Sequence, residues 1–126
     1  VVAAIRYISN GTYLTIIKEM LEKEVAEELQ PLKARVVEMV KLYEQALEYV
    51  KEAQDQEMHD FLARRLYNIT AEIIMSLLIL EDATRSAELF AKSANVYVRM
   101  AQADVIGDHA YIMNFVKEDL PSFRAE

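Results

Sequence analysis

The chain contains no cysteine. That excludes a disulfide framework, a thiolate zinc site, an iron–sulfur cluster on thiolates and a thiol nucleophile. Glycine and proline are almost missing, with two of each in 126 residues. Turn punctuation is therefore scarce. The hairpin-type dipeptide Asn10-Gly11 has no alternating strands beside it. With so few glycines there is no Gly-rich loop to cradle a phosphate. A basic surplus is also lacking: 14 Lys and Arg stand against 21 Asp and Glu, for a net charge of −7. Such a chain repels phosphate backbones and anionic headgroups, so neither nucleic acid nor a membrane surface is an expected partner. No apolar run reaches the ~18 residues that cross a bilayer. The longest, Ile73 to Leu80, is interrupted by Ser76. The opening VVAAIRY has one early arginine, no basic leader and no compelling cleavage site. The missing cysteine favours the cytoplasm. Two Asn-x-Thr tripeptides, at Asn10 and Asn68, are read as chance matches rather than glycan sites.

What is present is helical periodicity. The length fits one domain, 1–126, large enough to bury a core without staples. A first segment, about Val2 to Glu28, carries Ile5, Ile8, Thr12, Thr15, Ile16, Ile17, Met20, Leu21 and Val25 on a helical stripe. Gly11 within it either kinks the helix or admits another backbone. Pro31 either ends this helix in a tight hairpin or bends a continuous one, and it also suits the first position of a new helix. A second segment, Leu32 to Ala53, steps by four and three through Leu32, Val36, Met39, Tyr43, Ala46, Val50 and Ala53. Lys51 to Glu57 then reads as a polar turn. A third, Asp60 to Asp82, places Leu62, Leu66, Ile69, Ile73, Leu77 and Leu80 on one stripe, widened by Ile74, Leu78 and Ile79. A helix apolar over that much circumference is buried on more than one side.

The fourth segment, Ser86 to Ile106, is rich in small residues: Ala87, Ala91, Ala94, Val98, Ala101 and Val105, flanked by Phe90, Tyr97 and Met100. Ser86 is expected to cap its start, Glu88 to face the helix dipole, and Gly107 to close its end. A short helical or coil tail to Pro121 follows. Rods of about 20 to 27 residues span roughly 30 to 40 Å. Joined by short connections, they predict an all-α, up-and-down antiparallel four-helix bundle with a short C-terminal tail.

Catalytic constellations are not readable, and no catalytic, cofactor-binding or metal-ligating residue is assigned. His59 and His109 are the two histidines, and neither closes a Glu-x-x-His motif: Gln56 and Ile106 stand three residues before them. Asp55 and His59 are read as a solvated turn pair rather than metal ligands. His59 lacks the small and basic followers of a phosphorelay histidine. Two histidines in turns build no Ser-His-Asp arrangement. Arg64 and Arg65 are read as salt-bridge partners of neighbouring glutamates, and Tyr43, Tyr67, Tyr97 and Tyr111 as core-rim residues. Glu72 is placed on the narrow wet face of its helix; if it faces inward, it must pair or shift its pKa.

Three strings carry a resemblance: Phe61 to Tyr67 (FLARRLY), Ile73 to Thr84 (IIMSLLILEDAT) and Glu88 to Arg99 (ELFAKSANVYVR). Together they resemble the C-terminal helical extension of bacterial acyl-CoA dehydrogenases. Gly11 to Met20 (GTYLTIIKEM) looks like the entry to that extension, and Asp119 to Arg124 (DLPSFR) like its end. The resemblance implies a parent flavoenzyme that uses FAD to remove hydrogens from the α and β carbons of an acyl-CoA, with a glutamate as base. Those parts would belong to upstream domains. No residue here matches the family's base or flavin-binding motifs. The expectation is a non-catalytic C-terminal fragment of that larger protein. It would hold no cofactor itself and would pack against the upstream domains or form a homodimer through apolar helix faces. The start on valine rather than methionine fits that expectation. The alternative is a free-standing helical adaptor that binds partner helices in a groove.

Overall fold

The computed structural model describes residues 11–53, 55–116 and 118–120. Four α-helices lie among them: α1 (Thr12–Leu21), α2 (Gln30–Ala53), α3 (Gln56–Arg85) and α4 (Ala87–Met113). A short 3-10 turn, Glu27–Leu29, leads into α2. The expectations placed on Val2, Ile5, Ile8, Asn10 and Pro121 lie outside the described residues.

Cross-helix pairs give the chain directions. Tyr13 meets Tyr67 edge-on at 6.1 Å, and further along Lys23 pairs with Glu81 at 3.5 Å, so α1 runs alongside α3 in the same sense. Arg65 bonds Asp108 while Tyr97 bonds Glu72, so α3 and α4 are antiparallel. Arg35 reaches Gln102 and Gln45 reaches His109, so α2 and α4 are parallel. The result is the expected up-and-down bundle. Its three long helices pack on one another, and the short α1 rests mainly on α3.

The core is the meeting of the expected seams. Leu32, Val36, Met39, Tyr43, Ala46 and Val50 of α2 are buried, as are all six stripe residues of α3. Ala94, Val98, Ala101 and Val105 supply a small-residue face on α4 that lets the helices approach closely. Ala53 is exposed, because the helix ends there. Tyr43 is fully buried rather than on the rim. Its hydroxyl has no hydrogen-bond partner among the described residues, and burial, with Tyr13 adding, pushes its pKa up to about 12. Tyr67 is the opposite case, 44% exposed.

Several expected boundaries are corrected. Among the described residues the first helix spans Thr12–Leu21, ending well before the expected Glu28. The chain leaves it well before Pro31. Here Ala26 N–H donates to Thr84 Oγ1 at 3.2 Å, and Val25 and Ala26 pack on the core. A tertiary contact ends the helix where no glycine or proline does. Pro31 is the second residue of α2, where the amide it lacks has no helical partner to lose. Gly11 stands at the N-terminal boundary of α1 with φ 74°, a left-handed conformation natural to glycine. An added Cβ there would meet nothing within 4 Å among the described residues, so none of their backbone is close to it.

The helix α4 does not stop at Gly107. It continues to Met113 because Ile112 and Phe115 extend the buried stripe, and their burial outweighs the ~1 kcal/mol that a mid-helix glycine costs. His109 is therefore helical rather than in a turn, and so is His59. The helix α3 begins earlier than foreseen, since Asp55 Oδ1 accepts from Met58 N–H at 2.9 Å and caps it. Ser86 does stand at the start of α4, but its side chain makes no cap bond. The tail folds back as one turn at 118–120, burying Leu120 beside Phe115 and the end of α4.

Candidate functional site

The densest polar chemistry lies along the α3–α4 contact. Residues seven apart on a helix recur on one face. Arg65 and Glu72 of α3 therefore face Tyr97, Asp104, Asp108 and Tyr111 of α4. Arg65 Nη1 donates to Asp108 Oδ1 at 2.9 Å, and its guanidinium carbon lies 3.6 Å from the Tyr111 ring centre. Tyr111 and Phe61 both stack on Phe115, at 6.0 and 5.0 Å, which carries the contact into the tail. Tyr49 O–H donates to the Phe115 carbonyl from α2.

Further along the same seam Tyr97 O–H donates to Glu72 Oε2 at 3.3 Å. Partial burial and the negative charge of Asp104 hold Glu72 above its ordinary carboxylate value, against the lowering effect of the Tyr97 bond. Burial, with Glu72 beside it, pushes Tyr97 up to about 12. Asp108 is also raised: burial and Asp104 outweigh its Arg65 partner. The seam thus sets the carboxylates of Glu72, Asp104 and Asp108 along one contact, with Arg65 paired to Asp108. It is an internally bonded network. Among the described residues no three His, Cys, Asp or Glu side chains converge as metal ligands.

The other candidates disperse. Asp55 is engaged in capping α3. His109 Nε2 meets Gln45 Oε1 at 3.0 Å, and burial lowers its pKa. Arg64 is exposed and, unlike Arg65, makes no ion pair among the described residues; Arg65 pairs with an aspartate of α4 rather than a neighbouring glutamate. Asp104 and Asp108 were not singled out in the sequence. Their spacing of seven and eleven from Tyr97 was the available signal.

Two clefts accompany the seam. One, about 350 Å³, lies where α2, α3 and the tail meet and is lined by Tyr49, Glu52, Ala53, Asp55, Met58, Val116 and Glu118. The other, about 360 Å³, lies between the end of α3 and the start of α4 and presents Met75, Leu78, Ile79 and Phe90 beside Glu81, Asp82 and Arg85.

The model of the family described as acyl-CoA dehydrogenase C terminal matches residues 9–120. The chain belongs to this family. A crystal structure of the acyl-CoA dehydrogenase family protein from Porphyromonas gingivalis is 38% identical, with a TM-score of 0.84 over 90% of this chain and 98% of that one. The solved relative is thus nearly coextensive with this acyl-CoA dehydrogenase C-terminal domain, which stands there as a folded unit. A comparison with curated proteins finds no match. No described helix of the domain is long and apolar enough to cross a membrane.

Proposed function

We propose that the domain is the non-catalytic C-terminal part of an FAD-dependent, fatty acyl-CoA-oxidising protein, and that it serves assembly, dimerisation or stabilisation there. Membership of the acyl-CoA dehydrogenase C-terminal family supports the parentage. The observation that carries the assembly role is the apolar surface left on α3 and α4: Met75, Leu78, Leu89, Val96, Met100 and Ile106 are all exposed. Apolar surface gathered on two adjacent helices marks a contact face.

Neither described cleft is built to receive the pyrophosphate of FAD. Among the described residues the tail cleft presents the carboxylates of Glu52, Asp55 and Glu118 and no cation, a lining that repels a pyrophosphate. The other cleft sets Arg85 beside Asp82, its 2.7 Å partner. Flavin binding and the catalytic base are assigned to upstream domains, the domain's expected partners, in a cytoplasmic protein.

The test is removal of this domain from the full-length parent. The expected result retains flavin absorbance and acyl-CoA turnover while the assembly shrinks or its melting temperature falls. Acyl-CoA turnover by the 126-residue chain alone would overturn the reading. So would a truncated parent of unchanged size and stability. The second reading, a free-standing adaptor, is favoured by the apolar cleft of Met75, Leu78, Ile79 and Phe90. A start codon immediately before the Val1 codon would support it, and a long upstream reading frame would dismiss it.

A further inference from the structure

A helix on the surface of a bundle is normally apolar on one side. The helix α4 is apolar on two. Opposite its buried face, Leu89, Ser93, Val96, Met100, Ala103, Gly107 and Ala110 step alternately by four and three, and every one is exposed. Leu89, Val96 and Met100 are exposed by 72%, 66% and 51%. No charge interrupts this seam, and its spacing is that of a coiled-coil contact. Gly107 lies within it. Glycine weakens a helix interior by about 1 kcal/mol relative to alanine, and a Cβ there would meet nothing within 4 Å among the described residues. Nothing among the described residues requires glycine at that position. A second helix passing close to it would.

The charges along the seam select the occupant and its direction. Lys92 and Arg99 follow one edge and form no ion pair among the described residues. Asp104 follows the other edge, where its charge already raises the pKa values of Glu72 and Asp108. Arg99 and Asp104 are five residues apart on opposite flanks of α4, so they do not meet within one helix. In a parallel pair of copies of this seam, the flank before one contact position faces the flank five residues on in the partner helix. Arg99 of each copy then meets Asp104 of the other. An antiparallel pair sets the Lys92 and Arg99 edge against its own image, cation against cation. We propose that α4 is a self-docking surface: two copies pair through this seam in parallel about a two-fold axis along the helix, closed on both flanks by Arg99 and Asp104.

The proposal deepens the assembly reading, on which it rests, by naming the face, the partner and the direction. Sedimentation equilibrium of the 126-residue chain from about 10 μM to 1 mM tests it. A dimer is expected. Val96→Glu should leave a folded monomer by circular dichroism, since Val96 is 66% exposed. Arg99→Asp and Asp104→Arg should each weaken the dimer about tenfold or more, a coupling of roughly 1.4 kcal/mol. The double exchange should restore it. That rescue has no route within one chain, because the two positions occupy opposite flanks. A chain monomeric throughout would overturn the proposal. So would a dimer indifferent to Val96→Glu, or two charge variants that fail to rescue each other. The truncated parent reports separately: if it loses its assembly while the isolated chain is monomeric, the α4 pairing falls and the assembly reading stands.

Discussion

Arg65 holds Asp108 and Tyr111 at once: Nη1 lies 2.9 Å from the carboxylate, and the guanidinium carbon lies 3.6 Å from the ring centre. The two interactions differ in what supports them. Asp108 is mostly shielded from water, its side chain 15% exposed, while that of Arg65 is 40% exposed. Losing the arginine therefore costs more than a surface ion pair, because it leaves a half-buried carboxylate beside Asp104 and Glu72. Arg65→Ala is expected to lower stability by about 1–2 kcal/mol in urea denaturation. Arg65→Lys keeps the charge but loses the planar stacking, so it should fall between the two.

The carboxylate seam also sets a pH dependence. Glu72 and Asp108 have folded pKa values above their unfolded ones, so the folded state binds protons more tightly. For such groups stability rises as pH falls through the raised pKa and levels off below the unfolded value, near 4.5 for Glu72. His109 acts in the opposite sense. Its pKa is lowered, so its contribution is intact above its ordinary value of 6.5 and is lost as pH falls below it. Glu72→Gln separates the two. The variant should be more stable than the parent chain at pH 7, and the gain should shrink as pH approaches 4.5. Thermal melts across that range give the comparison, and a gain that grows on acidification would refute the assignment.

The same substitution at the two glycines should have opposite signs. Gly11 holds φ 74°, which an L side chain adopts only with strain, so Gly11→Ala should destabilise by about 1 kcal/mol. Gly107 is mid-helix with open space around its Cβ position, so Gly107→Ala should stabilise the folded monomer by up to about 1 kcal/mol. Denaturation at low micromolar concentration keeps association from contributing.

The long-range order of the fold was legible because it rests on periodicity. The seams of α2 and α3 repeat by four and three over many turns, and each repeat reinforces the same face. What was illegible depends on single contacts across the fold. Nothing near Leu21 announces a stop; Thr84, far along the chain, supplies it by accepting the Ala26 amide. Gly107 looks like a terminus until Ile112 and Phe115 are counted as core. Tyr43 and Tyr67 have the same chemistry, and only packing buries one and exposes the other. The polar seam was half legible. Arg65, Glu72, Tyr97 and Tyr111 were each noticed, but singly. The shared seven-residue spacing that unites them with Asp104 points to a common face only once α3 and α4 are known to be antiparallel neighbours.

Helix starts give the sharpest contrast between residue type and geometry. Asp55 and Ser86 both precede long helices, and both belong to the residue types that favour the cap position. Only Asp55 uses its side chain, with Oδ1 2.9 Å from Met58 N–H. Ser86 is the single residue between α3 and α4, so its backbone serves both: its amide donates to Asp82 O at 2.9 Å and its carbonyl accepts from Phe90 N–H at 3.1 Å. The Ser86 hydroxyl adds nothing to either. Asp55→Ala should therefore cost about 1 kcal/mol, the usual value of a lost cap. Ser86→Ala should stay within about 0.5 kcal/mol of the parent, as for a substitution that removes no contact. Parallel urea titrations of the two variants decide the matter, and equal losses at both positions would mean that Ser86 caps α4 in solution after all.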